Sequence, residues 1–453
     1  LAFQISNEAN IFPYKTYYTD PSTGKAVPIR PSDWTFDEYI SEFNAHKNAL
    51  YNRVSTSLPL NGPVFSGGSK DDGRWKNYFP DFMKAEASAI NSVSYHGYPY
   101  TACPDDPDDI PTISDVLSNK ASHDFVQGFV PIVAEAGEYG KKMRISETNS
   151  MTCGGVNGVS NTLAAALWAT DMMFEAANIG AGGVNIITGS QPDMTPLYFD
   201  GHIDYEGVAT YTPQVYPLYY GMLLFAQAAA NQGSLVPVSI TKTGNMKVWA
   251  TKDNTGAIRV VALNKDQSLS GNARITIAGT SGSASLTRLS ASSVSAKTGL
   301  TLAGQTFDGT TDGKPKGSYT STSVSSSNGT YVFSLPKGSA AMLTVGGSGG
   351  GGDDDDDAVE VSVDLDKSTY TKGQKMYVEA TSSDSPSQVK FYIDNQQVWA
   401  ESNGPYWLGG NSGSDVKGYS TSGLAVGSHT LKAVSVVGGV SYSSPTAQFQ
   451  INQ

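Results

Sequence analysis

Over the first ~230 residues, short apolar runs alternate with longer stretches of helical spacing, the pattern of βα units built on a parallel sheet. Strands are expected at Ala2–Ser6, Val64–Gly67, Ser92–Tyr95, Lys142–Ser146 and Gly183–Ile187. Between them, helical spacing runs through Phe36–Asn52 (after an Asp33 cap), Trp75–Ile90, the strongly apolar Ser160–Asn178, and Gln214–Asn231. That makes five strands with intervening helices rather than eight. From Leu235 the texture changes to period-two alternation punctuated by Gly, Asn and Asp: Lys247–Ala250, Arg259–Leu263, Ala273–Ile277, Tyr331–Leu335 and Ala340–Val345. This predicts an antiparallel sandwich. Gly346–Gly352 and the run Asp353–Asp357 follow, where glycine removes backbone restraint and like charges repel, so an extended linker is expected over 346–357. A calcium-binding reading of the aspartates is the lesser alternative. Strand patterns resume at Val359–Asp364, Lys375–Thr381, Gln388–Ile393, His429–Val437 and Gln448–Ile451, and 358–453 fits an immunoglobulin-like (Ig-like) sandwich.

Composition narrows the class. The 453 residues are 39% hydrophobic and 10% aromatic, enough for packed cores in more than one domain. No apolar run reaches the roughly 20 residues of a membrane-spanning helix. A formal net charge of −12 without a basic patch argues against a nucleic-acid partner. Charged residues make up only 16% and glycine is abundant, a mix common in secreted β-rich proteins. Asn328-Gly329-Thr330 is a glycosylation acceptor pattern. Trp399, Tyr406 and Trp407 are candidates for stacking on a sugar face, although packing among strands is the commoner use of such aromatics.

The chemistry concentrates in two glutamates. Glu8 closes Phe3-Gln4-Ile5-Ser6-Asn7-Glu8, and Glu147 closes Met143-Arg144-Ile145-Ser146-Glu147. Each follows a strand-like run, which is how a barrel strand delivers a catalytic side chain to the C-terminal mouth of a (β/α)8 fold. Two facing carboxylates suit cleavage of a glycosidic bond, one protonating the leaving oxygen while the other attacks the anomeric carbon. Asn7 suits a hydrogen bond to the sugar 2-hydroxyl. A glutamate at a strand end is, on its own, more often a surface residue.

The surroundings of this pair sharpen the picture. Residues 1 to about 345 resemble glycoside hydrolase family 79, the β-glucuronidase and heparanase family. The resemblance rests on Phe3 to Glu8, on Ser94-Tyr95-His96-Gly97-Tyr98, and on Glu147 to Ser150 with Gly154-Gly155. It continues through Gly158–Thr162, Ala165–Asp171, Gly182–Asn185, Tyr219-Tyr220-Gly221 and Leu335–Ala341. It implies an α/β plus all-β fold: a partial TIM barrel (strands 4–8) over 1–234, its β-sandwich over 235–345, and a separate module beyond. It implies that Glu8, on the fourth strand, is the acid/base and that Glu147, on the seventh, is the nucleophile. His96 and Tyr98 fall on the sixth strand, with Tyr98 placed to hold Glu147, and Tyr198 is a weaker candidate for sugar contact. The family reads a uronate carboxylate with a tyrosine and glycine amides after the nucleophile. This chain keeps Gly154 and Gly155 but has Met151-Thr152-Cys153 in place of the tyrosine, and Ala9 where the family has proline. Cys103 and Cys153 follow the sixth and seventh strands, so their loops share one barrel face. A disulfide there is preferred to a pair of free thiols, and it implies an oxidising compartment.

Glu8 on a fourth strand leaves three strands without a counterpart. The expectation is a separately cleaved N-terminal fragment that completes the barrel, or a longer chain. The overall expectation is a secreted or cell-surface retaining β-glycosidase acting on a carbohydrate, without metal or other cofactor. The alternatives are a non-catalytic structural or adhesive protein that reuses a glycosidase fold, and a carbohydrate-binding module.

Overall fold

The computed structural model describes residues 2–67, 75, 77–188, 191, 193–203, 209–242, 244–346, 361–382, 386–412, 415–437, 440–444 and 447–453. Internal contacts divide the chain into two units, Leu1–Gly352 and Asp353–Gln453. The expected linker lies outside the described residues, except for Gly346 at its start.

The first unit begins with β1 (Phe3–Gln4), a small hairpin of β2 (Thr16–Thr19) and β3 (Ala26–Pro28), and α1 (Phe36–Arg53). Then come β4 (Leu60–Ser66), α2 (Phe79–Glu86), β5 (Ile90–His96), α3 (Val130–Glu138), β6 (Lys142–Thr148), α4 (Leu163–Asn178) and β7 (Val184–Ile186). Strands β1, β4, β5, β6 and β7 form one parallel sheet in that order, the half-barrel expected from the βα alternation. Parallel neighbours require the helical crossovers that lie between them. Within the described residues, β1 pairs only with β4 and β7 only with β6, so both edges of the sheet are open.

Local rules explain several differences from the pattern read along the chain. The cap of α1 is Thr35, not Asp33: the Thr35 hydroxyl accepts the Glu38 amide and the Glu38 carboxylate accepts the Thr35 amide, a reciprocal capping box. Of the expected helix Trp75–Ile90, Phe79–Glu86 is helical and Ile90 opens β5. The apolar helix starts at Leu163 rather than Ser160, because the Ser160 hydroxyl is engaged with the Asp193 carbonyl and the Val156 amide in the preceding turn. The expected helix Gln214–Asn231 is shortened to α5 (Pro217–Ala228), which proline opens at its first position. The residues before it form an unexpected two-stranded ribbon, β8 (Leu197–Ile203) against β9 (Ala209–Val215).

The remainder of this unit is antiparallel. Strands β10 (Ser234–Leu235), β11 (Met246–Lys252), β12 (Ile258–Asn264), β13 (Gly271–Thr276), β14 (Ser283–Ser290), β15 (Thr301–Leu302), β16 (Thr322–Ser327), β17 (Thr330–Leu335) and β18 (Ser339–Val345) make a nine-stranded sheet. The five runs expected here are strands; β14 and β16 were hidden by serine-rich alternation. Strands β12 and β18 are buried on both faces. Val261, Leu263, Ala340 and Met342 join the core around α4 and α5, while Val260, Ala262, Ala341 and Leu343 pack inside the β-domain itself.

Helix α4 is apolar around nearly its whole circumference, as a helix enclosed on all sides must be. It crosses α5 so closely that a Cβ on Gly221 would lie 2.0 Å from the Ala166 carbonyl oxygen. Gly221→Ala therefore has to push the helices apart. The expected cost is roughly 2–3 kcal/mol, read as a lower urea midpoint.

The second unit has its own core of Val378, Val389, Phe391, Leu431, Phe449 and Ile451 among others. Its larger sheet orders Thr369–Thr371, Ala447–Asn452, Gly427–Val437, Gln388–Ile393 and Gln396–Glu401, with Val440–Ser443 pairing Gly427–Val437. A smaller one contains Val361–Leu365, Val378–Ser382 and Tyr406–Trp407. Residues 359–360 of the expected first strand lie outside the described residues. Tyr406 packs on the core, whereas Trp399 is 36% exposed on an edge strand.

Candidate active site

The C-terminal ends of the parallel strands assemble the site. After β1 the chain turns sharply, and Glu8 takes a left-handed backbone conformation (φ 56°) just ahead of a single 3₁₀ turn, Ala9–Ile11. A non-glycine residue there costs conformational energy, so it has to be held in place. Two interactions do so. The Glu8 amide donates to the Val64 carbonyl at 2.8 Å. The buried Asn10 side chain donates to the Ser66 carbonyl and accepts from the Ser66 amide, both at 2.9 Å. Asn10 thus positions the turn that carries Glu8 against β4. Sequence reasoning missed it, because nothing local marks an asparagine two residues after a glutamate as a clamp.

His96 ends β5 and Glu147 sits one residue before the end of β6. A register shift between Tyr95 and His96 sets His96 opposite Glu147, and just beyond it the Gly97 amide donates to the Glu147 carbonyl at 3.0 Å. His96 is buried, and its Nδ1 lies 3.2 Å from Glu8 Oε1 and 3.5 Å from Glu147 Oε2. Tyr98 stands two residues past the observed strand rather than on it, and its hydroxyl donates to Glu147 Oε1 at 2.7 Å. Burial raises the Tyr98 phenol above its ordinary range, and the hydrogen bond to Glu147 and the charges of Glu147 and Glu8 raise it further, so it stays a donor. One ligand atom each from Glu8, His96 and Glu147 lies within 4.8 Å of the other two. A small cation could use the same three donors. Among the described residues no other group of three or more such side chains is clustered this way.

The loop after β6 is locked to its neighbours. The Thr152 amide donates to the Tyr100 carbonyl, and Cys103 and Cys153 form a disulfide with Cα atoms 5.9 Å apart. The bridge read from the cysteine positions is therefore present. Cys153, Gly154 and Gly155 follow one another with φ of 57°, 83° and 82°. A side chain is also excluded by space at Gly155, whereas at Gly154 it would meet only the end of the Gln191 side chain. A Cβ on Gly155 would come 2.4 Å from Ser160 Oγ, and one on Gly154 would come 2.7 Å from Gln191 Oε1. The Gly155 amide donates to the Thr152 carbonyl within this turn. The buried Asn149, also unanticipated as a support, donates to the Met194 carbonyl and so ties this loop to the segment after β7.

The remaining candidates are more peripheral. Asn7 is exposed beside Glu8. Tyr198 lies on the β8–β9 ribbon with its ring 6.0 Å from that of Tyr216, and no described contact joins it to the glutamates. Asn328 is exposed at the turn between β16 and β17, with φ 51°. No helix among the described residues is long and apolar enough to cross a membrane.

Residues 244–342 match the model of the glycosyl hydrolase family 79 C-terminal beta domain. No curated protein matches the chain. Among solved structures the chain is similar to a 4-O-α-L-rhamnosyl-β-D-glucuronidase from Fusarium oxysporum 12S in complex with Rha-GlcA. The TM-score is 0.59 and the identity 22%, over 76% of this chain and 70% of that one. Weaker likenesses are to Cel44A, a family 44 endoglucanase from Clostridium thermocellum (TM-score 0.48, 14% identity, 76% of this chain and 66% of that one), and to a family 51 arabinofuranosidase from Xanthomonas axonopodis pv. citri (0.45, 14%, 69% and 63%). The family 79 resemblance read from the sequence is borne out: residues 244–342 match that family's C-terminal β domain, and the fold is similar to that of the glucuronidase over 76% of the chain.

Proposed function

We propose that the first unit is a retaining β-glycosidase of β-glucuronidase-like type, exported to an oxidising compartment and acting on a polysaccharide or glycoprotein glycan. One observation carries the reading: Glu8 and Glu147 face each other with carboxylate oxygens within 4.8 Å. Retaining enzymes keep their carboxyl groups roughly 5–5.5 Å apart, whereas inverting ones need roughly 6.5–9.5 Å to admit a water between them.

In this reading Tyr98 occupies Oε1 of Glu147 and leaves Oε2 to attack the anomeric carbon. Glu8 gives its proton to the glycosidic oxygen as that C–O bond breaks, and the alcohol departs. The glycosyl ester on Glu147 is then cleaved by a water whose proton returns to Glu8, and Glu147 leaves as a carboxylate. His96, between the two carboxylates, fixes their relative orientation. Asn7 stays in the proposal as a partner for the sugar 2-hydroxyl, and Tyr198 as a more distant sugar contact. Gly154 and Gly155 stay in it as the loop nearest an acidic substituent. The Cys103–Cys153 bridge supports export, and exposed Asn328 is accessible for glycosylation. The open edges of β1 and β7 are where further parallel strands, from a separate fragment or from the same polypeptide, would complete the barrel. The second unit reads as an Ig-like sandwich used for spacing or docking.

The test is the stereochemistry of the first product. Proton NMR during hydrolysis of 4-nitrophenyl β-D-glucuronide is expected to show the β-anomer of the sugar first, with the α-anomer rising later by mutarotation. An α-anomer appearing first would sink the double displacement. Absence of hydrolysis across a panel of aryl β-glycosides would favour the non-catalytic alternative.

A further inference from the structure

Glu8, His96 and Glu147 aim one donor atom each at a common point, with the spacing of ligands around a small ion. Two donors held roughly 2.0–2.2 Å from a tetrahedral zinc stand about 3.4 Å apart. His96 Nδ1 lies 3.2 Å from Glu8 Oε1 and 3.5 Å from Glu147 Oε2, so two of the three edges already match. The third edge, between the carboxylates, lies within 4.8 Å. Rotation of one glutamate closes it: the Glu8 and Glu147 side chains are 18% and 29% exposed, whereas the imidazole is 2% exposed and fixed by its surroundings. The Tyr98 hydroxyl takes Oε1 of Glu147 and leaves Oε2 to face His96, as an outer partner orients a ligating carboxylate. Positive charge is scarce at this point. Among the described residues neither glutamate forms an ion pair with a lysine or arginine; the basic group that meets both is His96.

We propose that these three side chains form an inhibitory site for a divalent cation of the zinc type. One imidazole and two carboxylates make three protein ligands for such an ion, and a water completes the tetrahedron. Magnesium and calcium fit poorly, since they favour roughly six or more oxygen ligands and the site offers three donors, one of them nitrogen. Binding releases to solvent the proton shared between His96 Nδ1 and Glu8. It also occupies Oε2 of Glu147 and Oε1 of Glu8, the atoms proposed above for attack and proton transfer. The inhibitory part of the inference therefore rests on the hydrolytic reading: the ion and the scissile sugar compete for one place. The binding part stands on geometry alone.

The experiment titrates the full chain, stripped with EDTA and dialysed, with zinc chloride in a calorimeter. A tight site is expected in wild type and is expected to weaken about 100-fold or more in both His96→Gln and Glu147→Gln. Cobalt(II), added in place of zinc, is expected to give the intense visible absorption of a tetrahedral site in wild type and to lose it in both variants. Magnesium and calcium should leave the cobalt spectrum unchanged. Absence of binding, or binding equally tight in the two variants, overturns the proposal. If His96→Gln does not fold, as judged by circular dichroism, the nearly isosteric Glu147→Gln decides alone. Zinc is further expected to inhibit hydrolysis of 4-nitrophenyl β-D-glucuronide competitively, with EDTA restoring the rate; zinc bound at the three residues without inhibition would overturn the regulatory part. If wild type hydrolyses no aryl glycoside, the hydrolytic reading has failed separately, and calorimetry and the cobalt spectrum still decide on the site.

Discussion

Glu147→Gln is expected to lower turnover of aryl β-glycosides by about 10,000-fold or more, the scale seen when a covalent nucleophile is removed. The substitution is nearly isosteric. Tyr98 can still donate to the amide oxygen as it does to Glu147 Oε1 at 2.7 Å, so the loop and the thermal midpoint should hardly change. What disappears is the anionic oxygen proposed to attack the anomeric carbon. Glu8→Gln should behave differently, because its proton matters in proportion to how badly the leaving alcohol needs one. With 2,4-dinitrophenyl as leaving group the first step should be nearly preserved, while with phenyl it should fall by roughly 100-fold or more. Steady-state and single-turnover rates on the two substrates separate these roles. Turnover by Glu147→Gln within tenfold of wild type would remove Glu147 from the mechanism. An equal loss on both leaving groups would remove Glu8 as the acid.

How far the site could be read from the chain depends on the range of the interactions that build it. Glu8 and Glu147 were legible because each closes a strand-like run, and strand ends feed the barrel mouth. His96 and Tyr98 were legible through the family resemblance; the register shift between β5 and β6 that sets His96 opposite Glu147 was not. The clamp formed by Asn10 was not, since its partner Ser66 is distant in sequence and offers only backbone atoms. Among the elements, the apolar α4 was legible but its first turn was not. Ser160 spends its hydroxyl on the Asp193 carbonyl, a choice made by tertiary structure rather than by helix propensity. The β8–β9 ribbon was not legible, and only its last two residues, Gln214 and Val215, fell inside the expected helix, because residues 209–216 mix β-branched and aromatic residues without a clean alternation. The serine-rich β14 hides its register in a similar way, since Ala284, Leu286 and Leu289 are its buried apolar positions.

Asp171→Ala is expected to be among the most destabilising single substitutions in the first unit, costing roughly 3–5 kcal/mol. A carboxylate in the middle of an otherwise apolar helix has to be paired. The pairing is dense: Asp171 and Lys265 are both fully buried and 2.6 Å apart, while Ser122 and the Trp249 indole also donate to the carboxylate at 2.7 and 2.9 Å. One turn along α4, Glu175 accepts from Lys247 at 2.7 Å and lies 3.0 Å from His123. Lys247 and Trp249 come from β11 and Lys265 directly follows β12, so this polar seam joins the half-barrel to the β-domain. Burial alone would raise the Asp171 carboxyl. The charges of Lys265 and Lys247, with hydrogen bonds from Lys265 and Ser122, outweigh it and hold the group below its ordinary value. A depressed carboxyl contributes stability that is complete above its unfolded value of about 4 and is lost as pH falls through the folded value. The wild type should therefore lose stability on acidification through this range, and Asp171→Ala should lose less of what it has left. Removing the aspartate strands Lys265 as a buried cation, so most of the cost is that orphaned charge rather than the attraction itself. The double variant Asp171→Leu, Lys265→Met should accordingly recover much of the loss, despite having neither charge. Urea unfolding of the single and double variants, followed by tryptophan fluorescence, distinguishes the cases. A double variant as unstable as Asp171→Ala would mean that the network contributes shape-specific packing which two apolar side chains cannot replace.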